Sequence, residues 1–302
     1  MDEIKKQNIL KYIITSEEEG KRVKAILAGR LKFSRTLLRK LKKTENVLLN
    51  GKPSYLISRV QQGDVLEVIM DLPEEATVCP ENIPLNILYE NEDLMVIDKP
   101  AGLVVHPTKN YPHGTLANAV VYYWKRQGYE RVFRPVQRLD KDTSGVIIIA
   151  NNHFAHQHLS RQLKFGDLKR SYLAVVEGCV AEKEGIIDAP IGKDPEHSVK
   201  RMIHPQGQEA VTTYKVEKAL QGATLLSLRL KTGRTHQIRV HMAHLGHPLL
   251  GDSMYGGDTT LIQRQALHSC SVKFFNPRTG KETCITSGLP RDMKVLIDKL
   301  SY

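Results

Sequence analysis

Apolar residues recur along this chain with two periods, and at one place with none. In the first quarter Val23, Ile26, Leu27 and Leu31 fall at helical spacing within 20–31, which predicts an amphipathic helix. Ser34 is placed to cap a second helix, SRTLLRKLKK, whose apolar stripe is Leu37, Leu38 and Leu41. Val47–Leu49 runs into an Asn50-Gly51 turn, and Gly63-Asp64 turns into an alternating strand over 65–69. Residues 71–86 carry Pro73, Pro80 and Pro84 and turn acidic, as a linker does. Beyond it, 87–90 and 94–98 predict a hairpin, 99–102 a turn, 103–107 a short extended piece and 116–124 a helix. Val146–Ala150, VIIIA, is apolar at every position, so it reads as a strand buried on both faces. A helix over 153–165, strands over 170–177, 211–217 and 224–230, and a helix over 235–245 stopped by Gly246 complete the pattern. Strands outnumber helices and adjoin as hairpins. The fold class is therefore α+β around a mostly antiparallel mixed sheet, preceded by a small αα-β unit. The expected division is 12–70, a linker at 71–86, and a large domain at 87–302. The first ten residues and the tail after Cys284 carry no clear pattern.

Charge changes the picture most. The 302 residues carry a net charge of +11 and a pI near 9.4, a balance typical of polyanion binders. Residues 1–70 hold 15 Lys and Arg against 8 Asp and Glu, a net of +7; the other 232 residues contribute only +4. The first unit therefore looks like a dedicated binding module, with Arg35, Arg39 and Lys42 on its second helix. Four cysteines lie far apart without a CxxC pair, arguing against a zinc site or a disulfide framework and for a reducing cytoplasm. No apolar run is long enough to span a membrane. A monomer is the expected state.

The chemistry concentrates at the entrance to the buried strand. Arg138, Asp140, Lys141 and Asp142 crowd four charges into five positions ahead of Thr143-Ser144-Gly145; a solvated turn would have the same look. Further candidates are Tyr172 at the start of a strand, the run TGRTHQIR over 232–239, and the histidines 236, 241, 244 and 247. The histidines lack an HExxH pattern or a carboxylate at ligand spacing, so no metal is expected. GxGxxG, Walker and GxSxG patterns are absent. A lone Asp, several arginines, a tyrosine and a positive surface remain. A carboxylate can act as a nucleophile on an anomeric carbon or a pyrimidine ring, a paired arginine keeps it ionised, and an aromatic ring can stack on an extruded base.

RLDKDTSG followed by VIIIA closely resembles the signature of the RluA-type ribosomal large-subunit pseudouridine synthase family. Lys99-Pro100-Ala101-Gly102, Tyr172 and TGRTHQIRVH resemble its other motifs in the same order, and residues 16–70 resemble the S-four-like RNA-binding module. The resemblance implies that Asp140 is the catalytic aspartate, that Tyr172 stacks on the target uracil and helps move the proton from its carbon 5, that Arg239 pairs with Asp140, and that Arg138 enters the RNA stack where the uridine leaves it. Arg234 is expected with Arg138, Arg35, Arg39 and Lys42 among the RNA contacts. The family usually has His before the Arg of the RLD motif; here it is Gln137. The implied activity is isomerisation of specific uridines in RNA, most often large-subunit rRNA with tRNA as the other candidate, by base flipping and without a cofactor. Two other readings compete: a non-catalytic RNA-binding or ribosome-assembly protein on the same fold, and a DNA-acting glycosidase. The first has no need of an acid in a basic cleft; the second lacks a second matched carboxylate.

Overall fold

The computed structural model describes residues 8–72, 78–197 and 199–301. In the first unit β1 (Ile9–Ile13) precedes α1 (Val23–Gly29), α2 (Arg35–Leu41), β2 (Val47–Leu49), β3 (Lys52–Pro53) and β4 (Val65–Ile69), with sheet order β1-β4-β2-β3, antiparallel throughout. The Ser34 hydroxyl accepts from the Leu37 N–H at 3.1 Å, so α2 starts where the cap dictates. Asn50 and Gly51 both have positive φ, 52° and 76°, the requirement of a tight turn between twisted strands. The Asn50 side chain also accepts from the Val65 N–H at 2.8 Å. Val23, Ile26, Leu27, Leu37, Leu41, Leu66 and Val68 fill the core of this unit, together with Phe154 from outside it.

The larger unit contains β5 (Ile87–Glu90), β6 (Leu94–Lys99), α3 (Leu116–Arg126), β7 (Ser144–Ala150), α4 (His153–Phe165), β8 (Lys169–Glu177), β9 (Glu184–Asp188), β10 (Ile191–Lys193), β11 (Arg201–Ile203), β12 (Val211–Leu220), β13 (Ala223–Leu230), α5 (Gln237–His244), β14 (Leu267–Phe275), β15 (Glu282–Thr286) and α6 (Arg291–Lys299). Its sheet runs β5-β6-β7-β14-β8-β13-β12-β9, with β15 also on β14; β10 and β11 form a separate hairpin. The β7–β14 pair is parallel and the other described pairs are antiparallel. Every residue of β7 is buried. Ile147 and Ile149 pack with Trp124 of α3 and Ile238 and Met242 of α5. Val146, Ile148 and Ala150 pack with Ala155 and Leu159 of α4 on the opposite face. That sandwich explains why VIIIA shows no alternation.

α4 also joins the units. The Gln157 side chain accepts from the Ser34 N–H at 2.7 Å and donates to the Lys32 carbonyl, His158 Nε2 lies 3.1 Å from the Leu31 carbonyl oxygen, and Phe33 packs on Phe154 with ring centroids 5.4 Å apart.

The structure departs from the sequence pattern in several places. The first unit begins with a strand at Ile9, paired Leu10 to Val68 and Tyr12 to Leu66, where a start at residue 12 was expected. α5 begins at Gln237 rather than 235, because His236 adopts a left-handed conformation (φ 58°, ψ 19°) that a helix cannot continue through. Residues 103–107 form no strand; the Val104 and Val105 carbonyls instead accept the N–H groups of Leu116 and Ala117 at the start of α3. The tail is ordered as β15 and α6, with Met293 and Leu296 buried. In the linker, 78–86 has no regular structure, and Pro73 lies outside the described residues.

Candidate active site

The loop between Arg138 and Ser144 is clamped from beneath. Gly145 has φ +109°, and a Cβ there would lie 2.8 Å from the carbonyl carbon and amide nitrogen of Ser269, and closer still to its oxygen. Only glycine lets β7 run against β14 so closely. The Lys99 ammonium is fully buried and donates to the carbonyls of Pro100, Leu103 and Lys141 at 2.8, 3.0 and 2.8 Å. Burial pushes its pKa down to about 7, against the attraction of Asp142 and Asp140. Arg264 donates to the Asp142 carbonyl at 3.0 Å while its fork holds Asp292 at 2.7 and 2.9 Å. The Ser144 hydroxyl meets His268 Nδ1 at 3.0 Å. Asp140 is thus presented by a loop tied to β6, β14 and the segment before it.

Opposite stands the 232–239 turn, assembled by one amide. Gln237 Oε1 accepts from the Thr232 hydroxyl and the Arg234 N–H at 2.8 and 2.9 Å, and its Nε2 donates to the Val211 carbonyl and the Thr212 hydroxyl, both at 3.0 Å. With all its bonding capacity used, this buried side chain fixes the turn and aims Arg239 at the loop. Arg239 Nη1 lies 3.4 Å from Asp140 Oδ2. Its stronger partner is Asp252, which takes Nε at 2.6 Å and Nη2 at 2.7 Å. Asp252 is 1% exposed, Asp140 27% by side chain. Asp252 thus holds the guanidinium and leaves one nitrogen for Asp140, which stays open to solvent. Arg239 remains charged: its bonds and charges outweigh its burial, raising its pKa.

Between loop and turn lies a cleft of ≈ 730 Å³ lined by Val105, His106, Gln137, Arg138, Asp140, Lys164, Arg170, Tyr172, Lys231 and Arg234, among others. Asp140 is the one carboxylate among its described lining residues, against five Lys and Arg. Tyr172 is 4% exposed, opposite Leu228 on β13 and Ser269 on β14. Burial raises its pKa, so the ring stands in the wall as a neutral phenol. Arg138 and Arg234 are exposed at the rim, Arg234 Nε donating to the Glu209 carbonyl at 2.9 Å. Arg35 and Arg39 are exposed on α2 and Lys42 at its C-terminal end, apart from this cleft.

A family profile described as RNA pseudouridylate synthase matches residues 93–244. An uncharacterized RNA pseudouridine synthase of Bacillus subtilis is 39% identical over 95% of this chain and 96% of its own length. The chain belongs to the RNA pseudouridylate synthase family. Ribosomal large subunit pseudouridine synthase D of Xanthomonas campestris is 38% identical over 95% of this chain and 91% of its own. Among solved structures, human RNA pseudouridylate synthase domain containing 1 aligns with a TM-score of 0.55 at 25% identity, over 69% of this chain and 84% of that one. This pseudouridine synthase is accordingly an isomerase acting on uridine in RNA, and the non-catalytic reading is not favoured.

Reasoning from sequence did not find Asp252, Tyr255 or the supporting part of Lys99. Asp252 and Tyr255 sit in GDSMYGGD, which reads as loop; nothing local signals that it folds against α5. Of the histidine cluster, His241 bonds Thr212 Oγ1 and the Ala189 carbonyl at 2.9 and 3.0 Å, and His247 the Glu177 carbonyl at 2.8 Å. Among the described residues no group of three or more His, Cys, Asp or Glu could hold a metal ion. All four cysteines are free.

Proposed function

We propose that Asp140 is the catalytic carboxylate of this synthase, with Tyr172 stacking on the flipped uracil, Arg239 holding Asp140 ionised and oriented, and Arg138 and Arg234 gripping the RNA at the mouth. The observation that carries this reading is the lone, partly exposed carboxylate in a cleft whose other charged lining residues are Lys and Arg. Cations draw in the phosphates, and extruding the uridine costs a few kcal/mol of unstacking, least in a loop. The reaction balances without a cofactor. The N1–C1′ bond breaks, a C5–C1′ bond forms after the uracil turns, the proton on C5 is lost and N1 gains one. Burial raises the Tyr172 pKa, so the face it offers the uracil in this reading is that of a neutral phenol.

The first unit is an S-four-like RNA-binding domain in this reading, contacting RNA through Arg35, Arg39 and Lys42. The substrate is large-subunit rRNA. Relatives in Xanthomonas campestris and Haemophilus influenzae that carry that activity in their names match over 95% of this chain. The enzyme works as a monomer in the cytoplasm; no described helix is long and apolar enough to cross a membrane.

The test is Asp140→Asn with rRNA carrying 5-tritiated uridine, scored by tritium release and pseudouridine mapping. Release falls to background while RNA affinity stays within about 3-fold, since no phosphate contact is removed. Retained turnover in the variant refutes the assignment.

A further inference from the structure

The left-handed residue that opens α5 is a histidine whose ring bridges the reacting carboxylate and a tyrosine. His236 Nε2 lies 4.0 Å from Asp140 Oδ2 on one side. On the other, Nδ1 lies 3.0 Å from the Tyr255 hydroxyl, the two rings packing edge to face. That hydroxyl also accepts the backbone N–H of Arg201 at 2.9 Å, from β11. A phenol has one hydrogen. With the Arg201 N–H satisfying an acceptor site, the hydrogen goes to the remaining partner, Nδ1. A neutral imidazole that accepts at Nδ1 carries its proton on Nε2, and that proton faces Asp140.

We propose that His236 is a positioning residue for this reaction: its Nε2–H is a second donor aimed at the Asp140 carboxylate beside Arg239, and its tautomer is set by Tyr255, which the β10–β11 hairpin holds in place. The inference rests on Asp140 being the reacting carboxylate. At 4.0 Å the contact is a charge facing a dipole; such contacts shorten to hydrogen bonds when substrate closes a site. Two donors on one carboxylate fix its rotamer, which one donor at 3.4 Å does not. The same tyrosine ring lies 5.0 Å from the Arg239 guanidinium, so both donors rest on one support. Burial favours the neutral ring, lowering the pKa of His236 against the pull of Asp140 and Asp252, with Arg239 and Arg201 acting in the same direction as burial. Lys200, over the Tyr255 ring at 5.7 Å, is a further charge nearby.

A purely structural role for position 236 is separable from this one. The backbone there needs φ 58°, which Gly adopts freely and Asn readily. His236→Gly and His236→Asn keep the turn and lose the ring. Tyr255→Phe keeps the ring under Arg239 and removes only the hydroxyl, so the neutral imidazole is free to carry its proton on either nitrogen. Protonation puts hydrogen on both, restoring the donor.

The experiment is single-turnover tritium release from saturating rRNA across about pH 5.5 to pH 8.5, spanning histidine titration, for the wild type, the three variants and Asp140→Asn, each checked for a native thermal melt. His236→Gly and His236→Asn should be slowed about 10-fold or more with RNA affinity unchanged, the effect of a misoriented group. Tyr255→Phe should be slowed about 3-fold or more near pH 8 and approach the wild type as the histidine becomes charged. Wild-type rates in the folded His236 variants, or a Tyr255→Phe defect that does not change with pH, overturn the proposal. Turnover by Asp140→Asn would instead remove the reading of the site on which it rests.

Discussion

Replacing Gly145 by Ala tests whether the geometry of the sheet, five residues beyond Asp140, governs the loop that carries that carboxylate. Two costs apply. The residue sits at φ +109°, a conformation that costs an L-residue roughly 1–2 kcal/mol. The added methyl would also lie within 2.8 Å of the Ser269 carbonyl carbon and amide nitrogen. Both are backbone atoms of β14 at the parallel seam, where Ser269 pairs with Gly145, so relief means moving a strand, an overpacking cost of about 1–3 kcal/mol. The expected loss is about 2–5 kcal/mol for the two effects together. Gly166 is the control: its φ is +82°, with nothing within 4 Å of the added atom, so Gly166→Ala should lose only about 1–2 kcal/mol. Urea unfolding followed by circular dichroism reads the difference. Tritium release reads its consequence, a fall on the order of 100-fold if the seam shifts the loop by about 1 Å. If Gly145→Ala is no less stable than Gly166→Ala and turns over normally, the seam does not set the loop.

Asp252→Asn leaves the Arg239 guanidinium with Asp140 as its one carboxylate partner and breaks a buried pair; stability should fall by roughly 3–5 kcal/mol, and turnover with it. Urea unfolding of the variant within 1 kcal/mol of wild type would show that Asp252 is not the anchor. Lys99 predicts a pH dependence of stability. Its folded pKa of about 7 lies below its ordinary value of 10.5, so between them the unfolded chain binds more protons. Its contribution to stability is therefore lowest below pH 7 and rises with pH through that window, with a slope approaching about 1.4 kcal/mol per pH unit. Lys99→Met removes that slope, and parallel stability–pH curves for the two proteins would contradict the burial argument. Alanine at Arg35, Arg39 and Lys42 together should weaken RNA binding and reduce the slope of log affinity against log salt by roughly 0.7–0.9 per lost phosphate contact; an unchanged slope means that α2 does not touch the RNA.

Local rules account for what was legible beforehand. The Ser34 cap, the Asn50-Gly51 turn, α4 from His153 to Phe165 and the twice-buried β7 all follow from side chains within a few positions of one another. The elements missed depend on distant partners. β1 is a strand because β4, more than fifty residues on, offers Val68 and Leu66 to it. β14 runs parallel to β7 because a glycine at 145 permits the approach. The site divides the same way. Asp140, Arg138, Tyr172 and the 232–239 run stand out because charge beside a buried strand, or a turn feeding a helix, is locally unusual. Asp252 and Tyr255 do not, since an acid and an aromatic in a glycine-rich loop are ordinary until the fold sets them under Arg239. Most of the site residues legible in sequence thus face the cleft, whereas Asp252 and Tyr255, which pack against Arg239, are hidden. A carboxylate left 27% exposed among five cations has several arginines and lysines to turn towards. Arg239 gives it one fixed partner, being committed through two shorter bonds to the buried Asp252 and so having one nitrogen to offer in one place.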